Sequence, residues 1–176
     1  MDFDGIVTSI QSGKGDFGAA GMTANDERRK SVDFSINYVD AAQLIIVMKD
    51  NAEITTPEDL AGKNVGVQSG TTGDIFVSDE TDAVPFRFKN GADAAVELTN
   101  GKLDAVVIDE MPANLIVSTY EGLKIIDTPL TEEQYAIAIA KGNDDLKEVI
   151  DGVITKLLES GQIDAWIEEH KLASGS

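Results

Sequence analysis

The sequence predicts an α/β protein of two lobes, each built on a mostly parallel sheet. Three observations predict it. Short β-branched runs alternate with amphipathic stretches along most of the 176 residues. A pattern of helix, Gly-Lys turn, Asp and buried strand occurs twice. At this length folding buries roughly 70% of the unfolded chain's surface, enough for a real core.

Taken in order, Ile6, Val7 and Ile10 mark one face of a helix from Gly5 to Ser12, and Asp16 to Gly21 is then a short buried strand. The polar run Thr23 to Lys30 suits a loop and a helical turn. Gln43 to Lys49 is apolar and β-branched enough for a buried strand. Thr56-Pro57-Glu58-Asp59 predicts a helix start with a capping box, closed by Gly62. Asn64 to Gln68 is the next strand, then a Ser69 to Gly73 loop, a helix to Ser78 and a strand at Phe86 to Phe88. Asn90 caps a helix through Asn100, Ala105 to Ile108 is a strand, Met111 to Tyr120 a helix and Leu123 to Asp127 a strand. Asp144 to Ser160 has the clearest helical stripe, Leu146, Val149, Ile150, Val153, Ile154, Leu157 and Leu158, which reads as packing surface. Ile163, Trp166 and Ile167 extend a last helix, with Trp166 read as core and His170 as exposed surface.

Composition narrows the chemistry. With 32 acidic against 14 basic residues the formal net charge is −18, which argues against nucleic acid as a partner. There is no cysteine and one histidine, so thiol chemistry, zinc-thiolate sites and multi-histidine metal sites are excluded, and neither metal nor cofactor is expected. No stretch reaches ~18 uninterrupted apolar residues, and Met1-Asp2-Phe3-Asp4 has neither the basic nor the apolar region of a signal peptide.

The two copies of the repeat are Gln11-Ser12-Gly13-Lys14-Gly15-Asp16 before FGAAGM and Thr99-Asn100-Gly101-Lys102-Leu103-Asp104 before AVVIDEM. Gly13 and Gly101 are expected to end their helices in a left-handed conformation. The strand after each Asp delivers Gly21-Met22-Thr23 or Asp109-Glu110 at its carboxyl end, where open α/β sheets bind ligands. A strand, loop, helix and strand precede the second copy, and nothing comparable precedes the first. The expectation is a first lobe lacking its opening β-α-β.

Four runs carry a resemblance. They are Asp2-Phe3-Asp4-Gly5-Ile6; Ala20-Gly21-Met22-Thr23 with Glu27-Arg28-Arg29 and Val32-Asp33-Phe34-Ser35; Asp59-Leu60-Ala61-Gly62-Lys63 with Val65-Gly66-Val67-Gln68-Ser69-Gly70-Thr71-Thr72; and Gly101-Lys102-Leu103-Asp104-Ala105-Val106 through Asp109. Together the chain resembles the extracytoplasmic solute-binding proteins of amino-acid ABC importers, the type II periplasmic binding fold. The resemblance implies lobe one from 1–42 and 135–176, truncated, and lobe two from 43–134, with hinge strands near Asp40 to Leu44 and Gln134 to Ala138. It implies that Arg28 grips a ligand α-carboxylate beside Thr23 and the Gly21 backbone, that Thr71 and Thr72 add donors, and that Asp109 takes the α-ammonium. Phe3 matches an aromatic that packs on the ligand, and Gln68 and Gly73 sit where selectivity is often set.

Each residue also has a plainer reading. Arg28 lies in a charged run that would by default be solvated, although a guanidinium suits a carboxylate better than lysine does. Asp109 reads equally as a helix N-cap, and one side chain could do both. Phe3 reads as core or as platform. The Ser69 to Gly73 loop either joins strand to helix or offers backbone amides to an anion; no lysine comes after it, against a phosphate loop.

The implied function is non-catalytic binding of an α-amino acid in a cleft between lobes, for delivery to an ABC permease. It would take place in a periplasm or at a cell surface. One alternative is a truncated or engineered variant whose incomplete lobe pairs into a homodimer or larger oligomer and no longer binds as a monomer. A dehydratase-type enzyme on the same fold is a third reading, with Glu110 or Asp109 as its acid or base; no nucleophile or cofactor motif stands beside them.

Overall fold

The computed structural model describes residues 1–174, the last four by backbone alone. The described residues form two compact units, 3–40 with 133–174 and 41–132, and the chain crosses between them twice.

Unit 1 opens with α1 (Gly5–Gln11), β1 (Phe17–Thr23), α2 (Asp26–Ser31) and β2 (Val32–Phe34). After the chain returns, the later part of β8 (Thr131–Ala140) leads into α6 (Asp144–Glu159) and α7 (Gln162–Ser174). Both β1 and β2 run antiparallel to β8, with an irregularity in β1 between Gly18 and Met22. Ile10, Met22, Val32, Phe34, Ala136 and Ala138 form its core, with Phe3, Ile6 and Val7 packed against them. β2 lies between the expected Thr23 to Lys30 turn and the strand from Gln43, where no element was expected. Its Val32 and Phe34 are buried on alternate positions, a two-residue period too short to register in a polar sequence context.

Asp33, between those two residues, ties β2 to the β8–α6 corner. It accepts the Gly142 N–H at 2.7 Å and the Lys141 ammonium at 2.9 Å. The backbone N–H and then the ammonium hold its carboxyl below the usual carboxylate range. A depressed folded value means that the contribution to stability is complete above the unfolded value near ~3.9 and fades as pH falls through the folded one. Asp33→Asn is therefore expected to lower the unfolding temperature at neutral pH, with the gap to wild type narrowing as pH falls below the ordinary carboxylate value, as thermal melts across pH would register.

Unit 2 carries the rest of β3 (Val39–Met48), a single 3-10 turn (Pro57–Leu60), β4 (Asn64–Gln68), α3 (Thr72–Asp79), β5 (Val84–Phe88), α4 (Gly91–Thr99), β6 (Ala105–Asp109), α5 (Glu110–Thr119) and β7 (Leu123–Ile125). β5, β4 and β6 are parallel neighbours, and β3 runs antiparallel to β6 and β7. Alternation divides the core. Ile45, Val47, Val65, Val67, Ala105 and Val107 face Ile54, Leu60 and Val77 on one side. Ile46, Val106 and Ile108 face Ala94, Leu98, Ala113 and Ile116 on the other. A sheet covered on both faces needs strands apolar at every position, which is why these runs read as continuous.

Several expectations hold. Gly13 and Gly101 have φ of 70° and 71°, so both copies of the repeat end their helices as expected, but only the strand of the second copy, β6, is buried; β1 is exposed or half-buried, with Met22 its one buried residue. Asn90 caps α4 through the Asp93 N–H, and the Thr56 to Asp59 capping box is present. The box opens only a 3-10 turn, because Gly62 comes too soon for a helix to grow.

The C-terminal helices differ from expectation. Of the α6 stripe only Ile154 is fully buried; Val149 is 64% exposed, Val153 51% and Leu158 44%, and Trp166 on α7 is 48% exposed rather than core. An apolar stripe shows that a helix has a face suited to burial, not that the same chain supplies the cover. His170 is exposed, as expected from its polar surroundings.

Candidate functional site

In unit 1 the candidate residues gather where β1 hands over to α2. Asn25 caps α2 by accepting the Arg28 N–H at 2.9 Å, which turns the Arg28 side chain back toward the end of β1. There Nη1 donates to the Thr23 carbonyl at 2.7 Å, and the guanidinium lies 5.4 Å from the centroid of the Phe3 ring, a cation–π contact. Arg28 is half-buried while Glu27, Arg29 and Lys30 are exposed, so the charged run is divided: one member turns inward and three are solvated. Burial pushes the guanidinium below its ordinary value, and the Glu133 carboxylate acts in the opposite direction. Arginine remains a cation at neutral pH under either influence.

Glu133 and two tyrosines complete this cluster, and none of the three stands out in the sequence. Glu133 accepts the Thr23 hydroxyl. Gly21 has a φ of 58°, and a Cβ there would meet the Tyr135 ring at 3.3 Å, so the position needs glycine for conformation as well as room. Its backbone hydrogen-bonds the Tyr38 hydroxyl, and burial raises that phenol above its ordinary value. The rings of Tyr38 and Tyr135 stand 6.2 Å apart. Glu133 lies in the polar run TEEQ, where charge alone gives no sign of which acid turns inward. Phe3 packs against the core and lies under the Arg28 guanidinium.

In unit 2, Thr71 caps α3 with its hydroxyl, accepting the Asp74 N–H at 3.2 Å and donating to the Gln68 carbonyl at 2.8 Å. That hydroxyl hydrogen is engaged within the turn. Asp74 is buried, accepts the Gly70 N–H at 3.1 Å and pairs with Arg87 Nε at 2.9 Å, while Arg87 also donates to Ser78 Oγ at 2.7 Å. The loop is thus a rigid helix start, with Thr72 and Gly73 in its first turn. The Gln68 side chain donates to the Lys89 carbonyl at 3.3 Å.

Asp109 ends β6 and caps α5, its Oδ1 accepting the Met111 N–H at 3.3 Å. Its Oδ2 accepts the Gln43 side-chain amide at 3.4 Å. The cap reading of Asp109 therefore holds, and the carboxylate stays half-exposed. Phe3, Gly21, Thr23 and Arg28 meet in unit 1; Gln68, Thr71 and Thr72 share the start of α3, and Asp109 stands at the end of the neighbouring β6. Among the described residues no group of three or more His, Cys, Asp or Glu is arranged to hold a metal ion, and no helix is long and apolar enough to cross a membrane.

Comparison with known proteins gives this geometry a context. The family described as bacterial extracellular solute-binding proteins, family 3, matches residues 1–172. The L-cystine-binding protein TcyJ of Escherichia coli is 29% identical over 170 residues, covering 95% of this chain; the chain spans 64% of that protein's length. Among solved structures, a mutant of ArgBP from T. maritima is 44% identical with a TM-score of 0.91, over 96% of this chain and 74% of that one. The amino acid ABC transporter substrate-binding protein AbpA of Streptococcus pneumoniae, bound to L-arginine, is 35% identical with a TM-score of 0.93, over 100% of this chain and 76% of that one.

Proposed function

Since the chain belongs to the bacterial extracellular solute-binding proteins, family 3, we propose that it binds a free α-amino acid without transforming it, outside the cytoplasm, and delivers it to an ABC importer. The ligand's carboxylate is taken by Arg28 with Thr23 and the Gly21 backbone, its ammonium by Asp109. Thr72 at the start of α3 adds donors beside Thr71, which shapes the turn by directing its own N–H and hydroxyl at the Gln68 carbonyl, and Phe3 and Gln68 border the side chain. The observation that carries this reading is the inward turn of Arg28 out of an otherwise solvated run. Its bond to the Thr23 carbonyl sets the guanidinium at the carboxyl end of β1, and the planar fork of such a group grips a carboxylate with two charge-assisted bonds. Relatives that bind amino acids as chemically different as cystine and arginine share the fold, which supports the class of ligand and leaves its side chain open.

Calorimetric titration of L-arginine, L-glutamine and L-histidine tests the reading, with agmatine as the control that lacks a carboxylate. One-to-one binding of an amino acid and none of agmatine is expected; no binding of any amino acid contradicts it. Glu133 competes for the same guanidinium, so Glu133→Gln is expected to tighten amino-acid binding about fivefold by removing a negative charge beside the incoming carboxylate. The same titration registers that change.

A further inference from the structure

We propose that Gln43 is a positioning residue for ligand binding, its amide orienting the Asp109 carboxylate toward the ligand's α-ammonium, and that Gly73 lacks a side chain to make room for it. The proposal rests on the ammonium-binding reading of Asp109. Gln43 on β3 stands directly opposite Asp109 on β6 in antiparallel register, so their side chains leave the same face of the sheet within reach of one another. The Gln43 backbone is engaged on both sides, its N–H donating to Thr131 Oγ1 at 3.2 Å and its carbonyl accepting the Leu130 N–H at 2.8 Å. That fixes the root of the side chain. From there Nε2 donates to Asp109 Oδ2 at 3.4 Å, while the Met111 N–H donates to Oδ1 at 3.3 Å. With one oxygen held from the helix start and the other from the next strand, the carboxylate cannot swing.

The other end of the amide shows that this is more than packing. Gln43 is 3% exposed, and its Oε1 is buried with no hydrogen-bond partner among the described residues. Turning the amide over would set that oxygen against the Asp109 carboxylate, acceptor against acceptor. A buried unpaired acceptor destabilises a fold, and leucine or methionine would fill the same volume, in a strand that continues Leu44, Ile45, Ile46 and Val47, without that penalty. What the polar side chain supplies in return is its bond to Asp109. Gly73 belongs to the same arrangement: a Cβ there would stand 2.5 Å from Gln43 Oε1 and 3.0 Å from Val107 Cγ1, displacing the amide. Being buried, Gln43 acts through Asp109 rather than on the ligand.

The test is calorimetry on wild type, Gln43→Leu, Asp109→Asn and the double variant, with L-arginine and with 5-guanidinopentanoate, which is arginine without its ammonium. Where L-glutamine or L-histidine binds more tightly, that amino acid and its desamino counterpart take their place. Thermal unfolding serves as the folding control, and Gln43→Leu should melt no lower than wild type. It should weaken the amino acid about tenfold, leave the desamino compound within about twofold, and cost less than about twofold in the Asp109→Asn background. Gly73→Ala, which keeps Gln43 but displaces its amide, should show the same selective loss and takes over the comparison if Gln43→Leu folds poorly. Unchanged amino-acid affinity, or equal weakening of both ligands, overturns the proposal. A wild type that binds no amino acid overturns the functional reading instead, and is seen before any substitution is made.

Discussion

Arg28→Ala is expected to weaken amino-acid binding by about 100-fold or more, ~3 kcal/mol, while the protein still folds. The guanidinium is the one inward-turned cation of its run, held on Thr23 and stacked on Phe3. Without it an incoming carboxylate would give up its hydration to face Glu133, which is a repulsive neighbour. Arg28→Lys separates charge from geometry. Lysine keeps the positive charge but cannot both hold the Thr23 carbonyl and fork onto a carboxylate, so a loss of about tenfold is expected to remain. Calorimetry on the two variants, with circular dichroism to confirm folding, reads both effects. Wild-type affinity in Arg28→Ala would remove the basis of the functional proposal.

Ile45→Ala is expected to cost about 2–5 kcal/mol of stability, the largest structural effect foreseen. Ile45 is fully buried in the middle of β3, opposite Val107 in register, with Val65 and Val67 in the same core. Its carbonyl also accepts the Ile126 N–H at 2.9 Å, so the strand has little freedom to close the cavity left behind. For a domain whose total stability is typically about 5–15 kcal/mol, that is a substantial fraction. Val153→Ser on the exposed face of α6 gives the contrast, with a change expected within about 0.5 kcal/mol. Urea unfolding of both variants decides the matter; similar losses at the two sites would mean that α6 is covered after all.

The sequence was most legible where one local rule decided the outcome. β4 runs from Asn64 to Gln68 as expected, since a continuous apolar run between polar turns fits a strand covered on both faces. Gly13, Gly101 and Asn90 ended or began helices on cue, because left-handed glycines and asparagine caps act within a few residues. Burial of α6 and Trp166 was not legible, since an amphipathic pattern describes the helix and says nothing of its neighbours. The same division runs through the site. Arg28 and Asp109 were marked by the family resemblance of the runs around them; by itself Arg28 read as part of a solvated charged run and Asp109 equally as a helix cap. Glu133 and Gln43 were not marked, because each takes its place from pairing across long stretches of chain: Glu133 reaches Thr23 over 110 residues and Gln43 reaches Asp109 over 66. A polar residue opening the apolar run QLIIVMK was the only trace Gln43 left.

Amino-acid binding through Arg28 is tested in one step by a native mass spectrum of the chain with an equimolar mixture of the common amino acids, since the added mass identifies the ligand and the charge series gives the subunit number. One amino acid per wild-type chain and a bare chain for Arg28→Ala are the predicted results. A wild-type chain that stays bare, or an adduct that survives in Arg28→Ala, would contradict that binding mode.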